Sequence, residues 1–274
     1  MPQNKPHILT QHDIIDPARA KALWCVLGRD GPAPEDGAPL APFFHHIYFW
    51  QVSPEPLLGR DGHIRPGRGL IPDTGLPRRM WAGGALTFHA PLIAGRPAVK
   101  TSRIKRISHK QGRSGPLAFV SLSHEIHQDE QLVLSEVQDL VYMNDPAPNN
   151  PRPSPPQAPE NSPHCEKVGF SSTYLFRYSA LTMNGHRIHY DIDYCREVER
   201  YPGLVVHGPL LAQLLMLKAS AELGPLTGFS FRATAPLFHH ETANLCREGS
   251  RLWVRGPDGR LCMEATATSY TATS

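Results

Sequence analysis

Hydrophobic and polar positions divide the chain into two patterned stretches with an unpatterned one between them. In the first stretch, residues 13–27 (DIIDPARAKALWCVL) place an Asp ahead of a Pro and then apolar residues at helical spacing, which predicts a helix. Residues 43–52 (FFHHIYFWQV) form an aromatic, β-prone run. Three runs of short apolar/polar alternation follow at 98–108, 117–128 and 131–143, and they read as antiparallel strands. In the second stretch 174–179 reads as a strand, and 209–222 (PLLAQLLMLKASAE) as a long apolar helix. Residues 226–237, 242–248, 251–255 and 261–270 read as strands, with Pro257, Asp258 and Gly259 as a hairpin-type turn. A long apolar helix followed by antiparallel strands implies a sheet wrapped around a helix, an α+β architecture expected once in each stretch.

The unpatterned segment, 144–163 (NDPAPNNPRPSPPQAPENSP), is dense in proline and nearly free of apolar residues. It has too little surface to bury to offset the entropy of ordering, and reads as a semi-rigid linker. The expected organisation is therefore an N-terminal unit at 1–145, a linker at 146–163 and a C-terminal unit at 164–274.

Composition narrows the function classes. With 274 residues, 40% of them hydrophobic, the chain can bury a sizeable core. The formal charge is +3 and no run gathers Lys and Arg into a stripe, which argues against nucleic acid and suits an anionic small molecule. The five cysteines are scattered, odd in number and never spaced CxxC, so free thiols in a reducing cytoplasm are expected. The first residues, MPQNKPHILTQHD, lack the apolar core of a signal peptide. No apolar run approaches the roughly 18 residues of a spanning helix, so a soluble cytoplasmic protein without membrane contact is expected.

Chemistry concentrates at 181–191 (LTMNGHRIHYD), which brings together Asn184, His186, Arg187, His189 and Asp191. Residues 202–209 (PGLVVHGP) then lead into the apolar helix. Polar side chains this dense beside a buried helix are costly unless paired or used. Gly208, at the helix start, leaves backbone N–H groups and a positive dipole end that suit an oxyanion. Taken alone, His189 reads as a hydrogen-bonded structural histidine, and His207 equally as a turn residue. The HxxH spacing of His186 and His189 suggests metal ligands, but no third ligand has matching spacing, so no metal is expected. Arg78, Arg79, Lys100, Arg103, Lys105, Lys110 and Arg113 form a basic set in the first half. It reads first as a solvated face, and otherwise as a clamp for coenzyme-A phosphates or a free substrate carboxylate. Trp81, ahead of Gly83 and Gly84, could meet a ligand through its backbone, although packing explains it equally well.

These residues resemble the MaoC-type, or (R)-specific, enoyl-CoA hydratases. Ile188-His189-Tyr190-Asp191 and Val206-His207-Gly208 match that family's hydratase motif. The chain as a whole is similar to the two-hot-dog branch that includes mesaconyl- and itaconyl-CoA hydratases and the mitochondrial hydroxyacyl-thioester dehydratase. LPRRMWAGG (76–84), KQGRSG (110–115) and EVQDLVY (136–142) carry that likeness, in order and over nearly the full length.

The resemblance implies a double hot-dog fold, with a non-catalytic N-terminal unit that shapes the substrate and coenzyme-A pocket. It implies hydration of an α,β-unsaturated acyl-CoA, with a branched C5 dicarboxylic substrate (itaconyl-CoA or mesaconyl-C4-CoA, giving citramalyl-CoA). No cofactor is expected beyond the coenzyme A of the substrate, and a homodimer is among the expected assemblies. His189, Asn184 and Gly208 are the expected catalytic set. Arg78, Arg79, Trp81, Arg113 and Arg187 are the expected substrate or coenzyme-A contacts.

One departure stands out. The family's catalytic Asp position falls on Asn184 and its Asn position on His186, and an amide does not take a proton as a carboxylate does. Either His189 carries most of the proton transfer with Asn184 orienting water, or Asp191, His186 or His207 supplies the supporting group. A hot-dog acyl-CoA thioesterase and a non-catalytic acyl-CoA-binding protein are the competing readings.

Overall fold

The computed structural model describes residues 8–112, 115–146, 154–160, 162 and 164–270. Ten strands form one antiparallel sheet in the order β1-β3-β4-β5-β2-β7-β10-β9-β8-β6. The first half supplies β1 (Ile8–Ile14), β2 (Arg78–Phe88), β3 (Pro97–Gly112), β4 (Gly115–Gln128) and β5 (Gln131–Met143). The second supplies β6 (His164–Gly169), β7 (Leu226–Ala233), β8 (Thr242–Glu248), β9 (Arg251–Arg255) and β10 (Leu261–Ser269). Three α-helices accompany them: α1 (Pro17–Val26), α2 (Ser172–Leu181) and α3 (Gly208–Leu223).

The halves meet where β2 pairs with β7, with Gly83 opposite Arg232 and Gly84 opposite Phe231. Two glycines stand here because the backbones leave no room for side chains. A Cβ on Gly83 would lie 2.5 Å from the Phe231 carbonyl oxygen, and one on Gly84 would lie 2.7 Å from that of Val137.

α3 is apolar over most of its surface because it is covered along most of its length, its last turn alone exposing Ala221 and Glu222. Strands β7 to β10 pack against it from its own half, and β2 does so from the other. Leu210, Ala212, Leu215 and Met216 are fully buried. Pro209 in the first turn and Gly224 beyond the last, at φ 82°, delimit it. In the first half the helical layer is shorter. α1, capped by the Asp16 carboxylate on Ala18 N–H at 2.8 Å, packs against α2 and a 3₁₀ turn at Phe44–Ile47.

Several expectations change. Residues 174–179 lie in α2, not in a strand. Ser171 Oγ accepts from Tyr174 N–H at 3.0 Å, and burial of Leu175, Tyr178 and Ser179 follows the helical period. The aromatic run at 43–52 forms no strand, because Phe43 and Phe49 take left-handed φ of 70° and 58° that break an extended path. β1, β2 and β6 were not anticipated.

The expectation of five free thiols fails at one pair. Cys165 and Cys246 face each other across β6 and β8 and form a disulfide, while Cys25, Cys195 and Cys262 are free. The register of an antiparallel pair brings together sulfurs 81 residues apart, which local spacing could not reveal. Of the proline-rich segment, residues 147–153, 161 and 163 lie outside the described residues. Downstream of that gap, Ala158 N–H donates to Gly259 O at 2.9 Å, and the Ala158 side chain packs with Trp253 and Leu261.

Truncating the helix at its most enclosed point tests this packing. Leu215→Ala should lower the unfolding free energy by about 3 kcal/mol in urea titration, as for a rigidly surrounded buried leucine. A loss below about 1 kcal/mol would show that α3 is not the packed centre of the second half.

Candidate active site

The polar stretch 181–191 becomes a compact loop because it lies between two helix ends and is pinned at each step. α2 ends at Thr182, whose hydroxyl donates back to Tyr178 O at 2.8 Å. Asn184 Oδ1 then accepts from His186 N–H at 3.1 Å, turning the chain into a single 3₁₀ turn at Arg187–His189. From the first half, the loop around Asp61 and Gly62 sits on this turn. Arg187 N–H donates to Asp61 O at 2.9 Å, and a Cβ on Gly62 would lie 2.0 Å from the Gly185 carbonyl oxygen.

A cavity of about 250 Å³ lies between this loop, the N-terminus of α3 and strand β2. His63, Arg79, Trp81, Asn184, His186, His189 and Gly208 line it among apolar side chains such as Val141, Val206 and Leu237. His189 Nδ1 lies 2.7 Å from Val205 O. A carbonyl only accepts, so Nδ1 carries the proton and Nε2 keeps its lone pair. Burial, against the pull of that hydrogen bond, pushes His189 down to about 3, so the ring is neutral at neutral pH. The ring stacks on His207 with centroids 3.6 Å apart. His207 is fully buried and its Nε2 lies 2.8 Å from Ser179 Oγ, so it supports His189 from behind and does not line the cavity. At the other side of the cavity Gly208 opens α3, whose first N–H groups have no partner within the helix.

The first half adds a pair that the sequence pattern did not single out. His63 Nδ1 lies 3.1 Å from Asp61 Oδ2, and the His63 ring is 4.7 Å from that of His186. Burial raises the Asp61 carboxyl, but the hydrogen bonds and charge of His63 and the charge of Arg79 together outweigh it and hold Asp61 below the usual range. Burial and the Arg79 charge lower His63 against the pull of Asp61 and Asn184. His186 Nε2 is buried without a partner among the described residues, and burial pushes that imidazole well below its ordinary value. The signal available in the sequence was Asp-Gly-His at 61–63, which looks like an ordinary turn.

Some anticipated residues do not reach the cavity. Arg187 and Asp191 pair with each other at 2.7 Å near the surface, and Asp191 also accepts from Tyr194 N–H, so neither lines the cavity. Their i,i+4 spacing on one turn makes that pairing the nearer option. Arg78 is turned away from it and held by buried Glu199 and by Tyr201. Arg113 lies outside the described residues. Trp81 lines the cavity, while its Nε1 donates to Gly83 O at 2.8 Å.

Among the described residues, two side-chain sets have ligand types suited to a metal ion: Asp61 with His63 and His186, and His45 with His46 and Glu136. Direct imidazole–carboxylate contacts at 3.1–3.2 Å account for the carboxylate in each.

Comparisons with known proteins agree on one family. The model described as hydroxyacyl-thioester dehydratase type 2 matches residues 43–239. The mesaconyl-C(4)-CoA hydratase of Chloroflexus aurantiacus is 44% identical over 260 residues, covering 93% of this chain and 92% of that one. Among solved structures, HtdX of Mycobacterium tuberculosis superposes with a TM-score of 0.68 at 18% identity, covering 96% of this chain and 100% of that one. Another protein of Mycobacterium tuberculosis, described as a double hot-dog, superposes with a TM-score of 0.59 at 13% identity, covering 96% of this chain and 95% of that one. The ten-stranded sheet with its buried α3 has this hot-dog architecture.

Burial of neutral imidazoles sets a pH dependence for stability. His189 falls to about 3 and His45 to about 4, and His186 and His207 are also lowered by burial. Below an ordinary imidazole value of roughly 6.5 the unfolded chain binds protons that the folded chain does not. Stability present above that pH is lost progressively as pH falls toward the folded values. The urea midpoint should therefore drop steadily from pH 7 to pH 5. A midpoint unchanged over that interval would contradict buried neutral rings.

Proposed function

The chain belongs to the hydroxyacyl-thioester dehydratase type 2 family, and from that premise we propose that it adds water across the double bond of an α,β-unsaturated acyl-CoA. It is a hydro-lyase. The observation that carries the mechanism is the 2.7 Å contact of His189 Nδ1 with Val205 O, which leaves Nε2 as a base in the cavity that Gly208 also lines.

Nε2 of His189 takes a proton from water as the water oxygen bonds to the β-carbon. The π electrons move toward the thioester oxygen, and the enolate is held by the Gly208 N–H at the positive end of α3. The imidazolium then returns its proton to the α-carbon, so protons balance and His189 is regenerated. The stacked His207 and the dry surroundings disfavour a lasting imidazolium, which favours that return. Asn184 orients the water from the same cavity wall. The Asp61–His63 pair brings to that wall a carboxylate-backed imidazole where the second-half loop offers only an amide. The chemistry needs no group beyond the coenzyme A of the substrate. A branched C5 dicarboxylic thioester, mesaconyl-C4-CoA giving citramalyl-CoA, is the substrate we favour, supported by the hydratase relative; itaconyl-CoA, its β,γ-unsaturated isomer, would enter the same reaction only after its double bond moves into conjugation with the thioester.

Purified protein should consume the enoyl-thioester absorbance of mesaconyl-C4-CoA or crotonyl-CoA without releasing free thiol. Thiol release, or no loss of the absorbance, would refute the hydratase reading. His189→Ala should lower kcat by about a thousandfold, within the usual range for a lost general base, while binding of a saturated acyl-CoA persists. For the wild type, kcat/KM should stay level from pH 8 to pH 6. An unperturbed imidazole would be about three-quarters protonated at pH 6 and would cut the rate accordingly.

A further inference from the structure

Arg79 is a cation without a counter-ion beside a catalytic cavity. Other arginines close to this region are engaged: Arg78 by Glu199, Arg60 by Asp145 and Arg187 by Asp191, while Arg65, which also lines the second cavity, donates to the Pro56 carbonyl. Among the described residues Arg79 forms no ion pair, and its guanidinium is a hydrogen-bonding neighbour of the Tyr142 hydroxyl. Asp61, whose charge and that of Arg79 act on each other without forming an ion pair, has its oxygens engaged by the His63 ring and by His63 N–H at 3.1 Å each.

Arg79 also stands where cavities adjoin. It lines the catalytic cavity with His63 and His186, and it lines a second cavity of about 220 Å³ with Lys100, His124, Gln138 and Tyr142. Lys100 likewise forms no ion pair among the described residues, although the charge of Glu136 acts on it from further away. A half-enclosed space flanked by two unpaired cations and a phenol has the chemistry of an anion site, and the fork of a guanidinium matches a carboxylate in particular. Holding such charges away from water without a partner is costly, and an anionic ligand would remove that cost.

Resting on the hydratase reading above, we propose that Arg79, with Tyr142 beside it and Lys100 behind, forms the subsite for a free carboxylate on the acyl group. Arg79 is then the residue that selects monothioesters of unsaturated dicarboxylic acids over simple enoyl-CoAs. Its position on β2, one residue before Met80 and two before Trp81, places the guanidinium on the same cavity as His189. The acyl chain would span from the Gly208 N–H, at its thioester end, to Arg79 at its carboxylate end.

Two measurements test this separately from the hydratase reading. Succinyl-CoA and butyryl-CoA carry four-carbon acyl groups that differ in the terminal carboxylate. By calorimetry the wild type should bind succinyl-CoA at least about tenfold more tightly, and Arg79→Gln should abolish the preference. Equal binding by the wild type, or a preference that survives in Arg79→Gln, overturns the subsite whether or not the protein is a hydratase.

In turnover, the ratio of kcat/KM for mesaconyl-C4-CoA to that for crotonyl-CoA should fall at least about 100-fold in Arg79→Gln, because a buried carboxylate loses its partner. Arg79→Lys should lie between, keeping the charge but not the fork. An unchanged ratio, with both substrates weakened alike, would place Arg79 on the shared coenzyme-A moiety or in a structural role and overturn the proposal. Absence of turnover in the wild type, with its preference for succinyl-CoA intact and lost in Arg79→Gln, would refute the hydratase reading and leave the carboxylate subsite standing.

Discussion

The hydrogen bond from His189 Nδ1 to the Val205 carbonyl is the contact on which the rest of the site depends. It fixes the tautomer, and the tautomer decides which nitrogen can act as a base. Burial keeps the ring neutral, and the stacked His207 keeps it from rotating freely. The acceptor comes from the segment that leads straight into α3, so base and helix N-terminus are positioned by one short piece of chain. The proposed proton transfer and oxyanion stabilisation are thereby coupled through a few backbone atoms.

That short piece of chain is not sufficient alone. The cavity closes only because the first half lies against it through two tight approaches, the Gly83–Gly84 backbone on β7 and Gly62 on Gly185. These contacts bring Trp81, Arg79 and the Asp61–His63 pair to the same space as His189. Sequence reading assigned the first half a pocket-shaping role and no chemistry. The geometry gives it a carboxylate-backed imidazole beside the loop in which an amide occupies the usual carboxylate position.

The parts legible in the sequence were those set by local periodicity. α3, β3 to β5 and β7 to β10 followed from the spacing of apolar residues, and the loop 181–191 stood out through density of polar groups. What was missed depended on a local cap, on left-handed backbone turns or on long-range contact. α2 reads as β-prone from Tyr174 to Ser179 until Ser171 caps it, and the run 43–52 looks extended until two left-handed phenylalanines bend it. The Cys165–Cys246 bond needs strand register, and Asp61 and His63 become notable only when tertiary packing brings them against His186, far along the chain. Conversely, Arg187 and Asp191 looked chemical in the sequence and proved to satisfy each other.

The most direct test is the protonation state of one ring. Nitrogen-15 NMR of the imidazole of His189, assigned by comparison with His189→Ala, should show a protonated Nδ1 and an unprotonated Nε2 at pH 7, persisting to pH 6. An Nε2-protonated tautomer, or an imidazolium at pH 7, would contradict the assignment of His189 as the base.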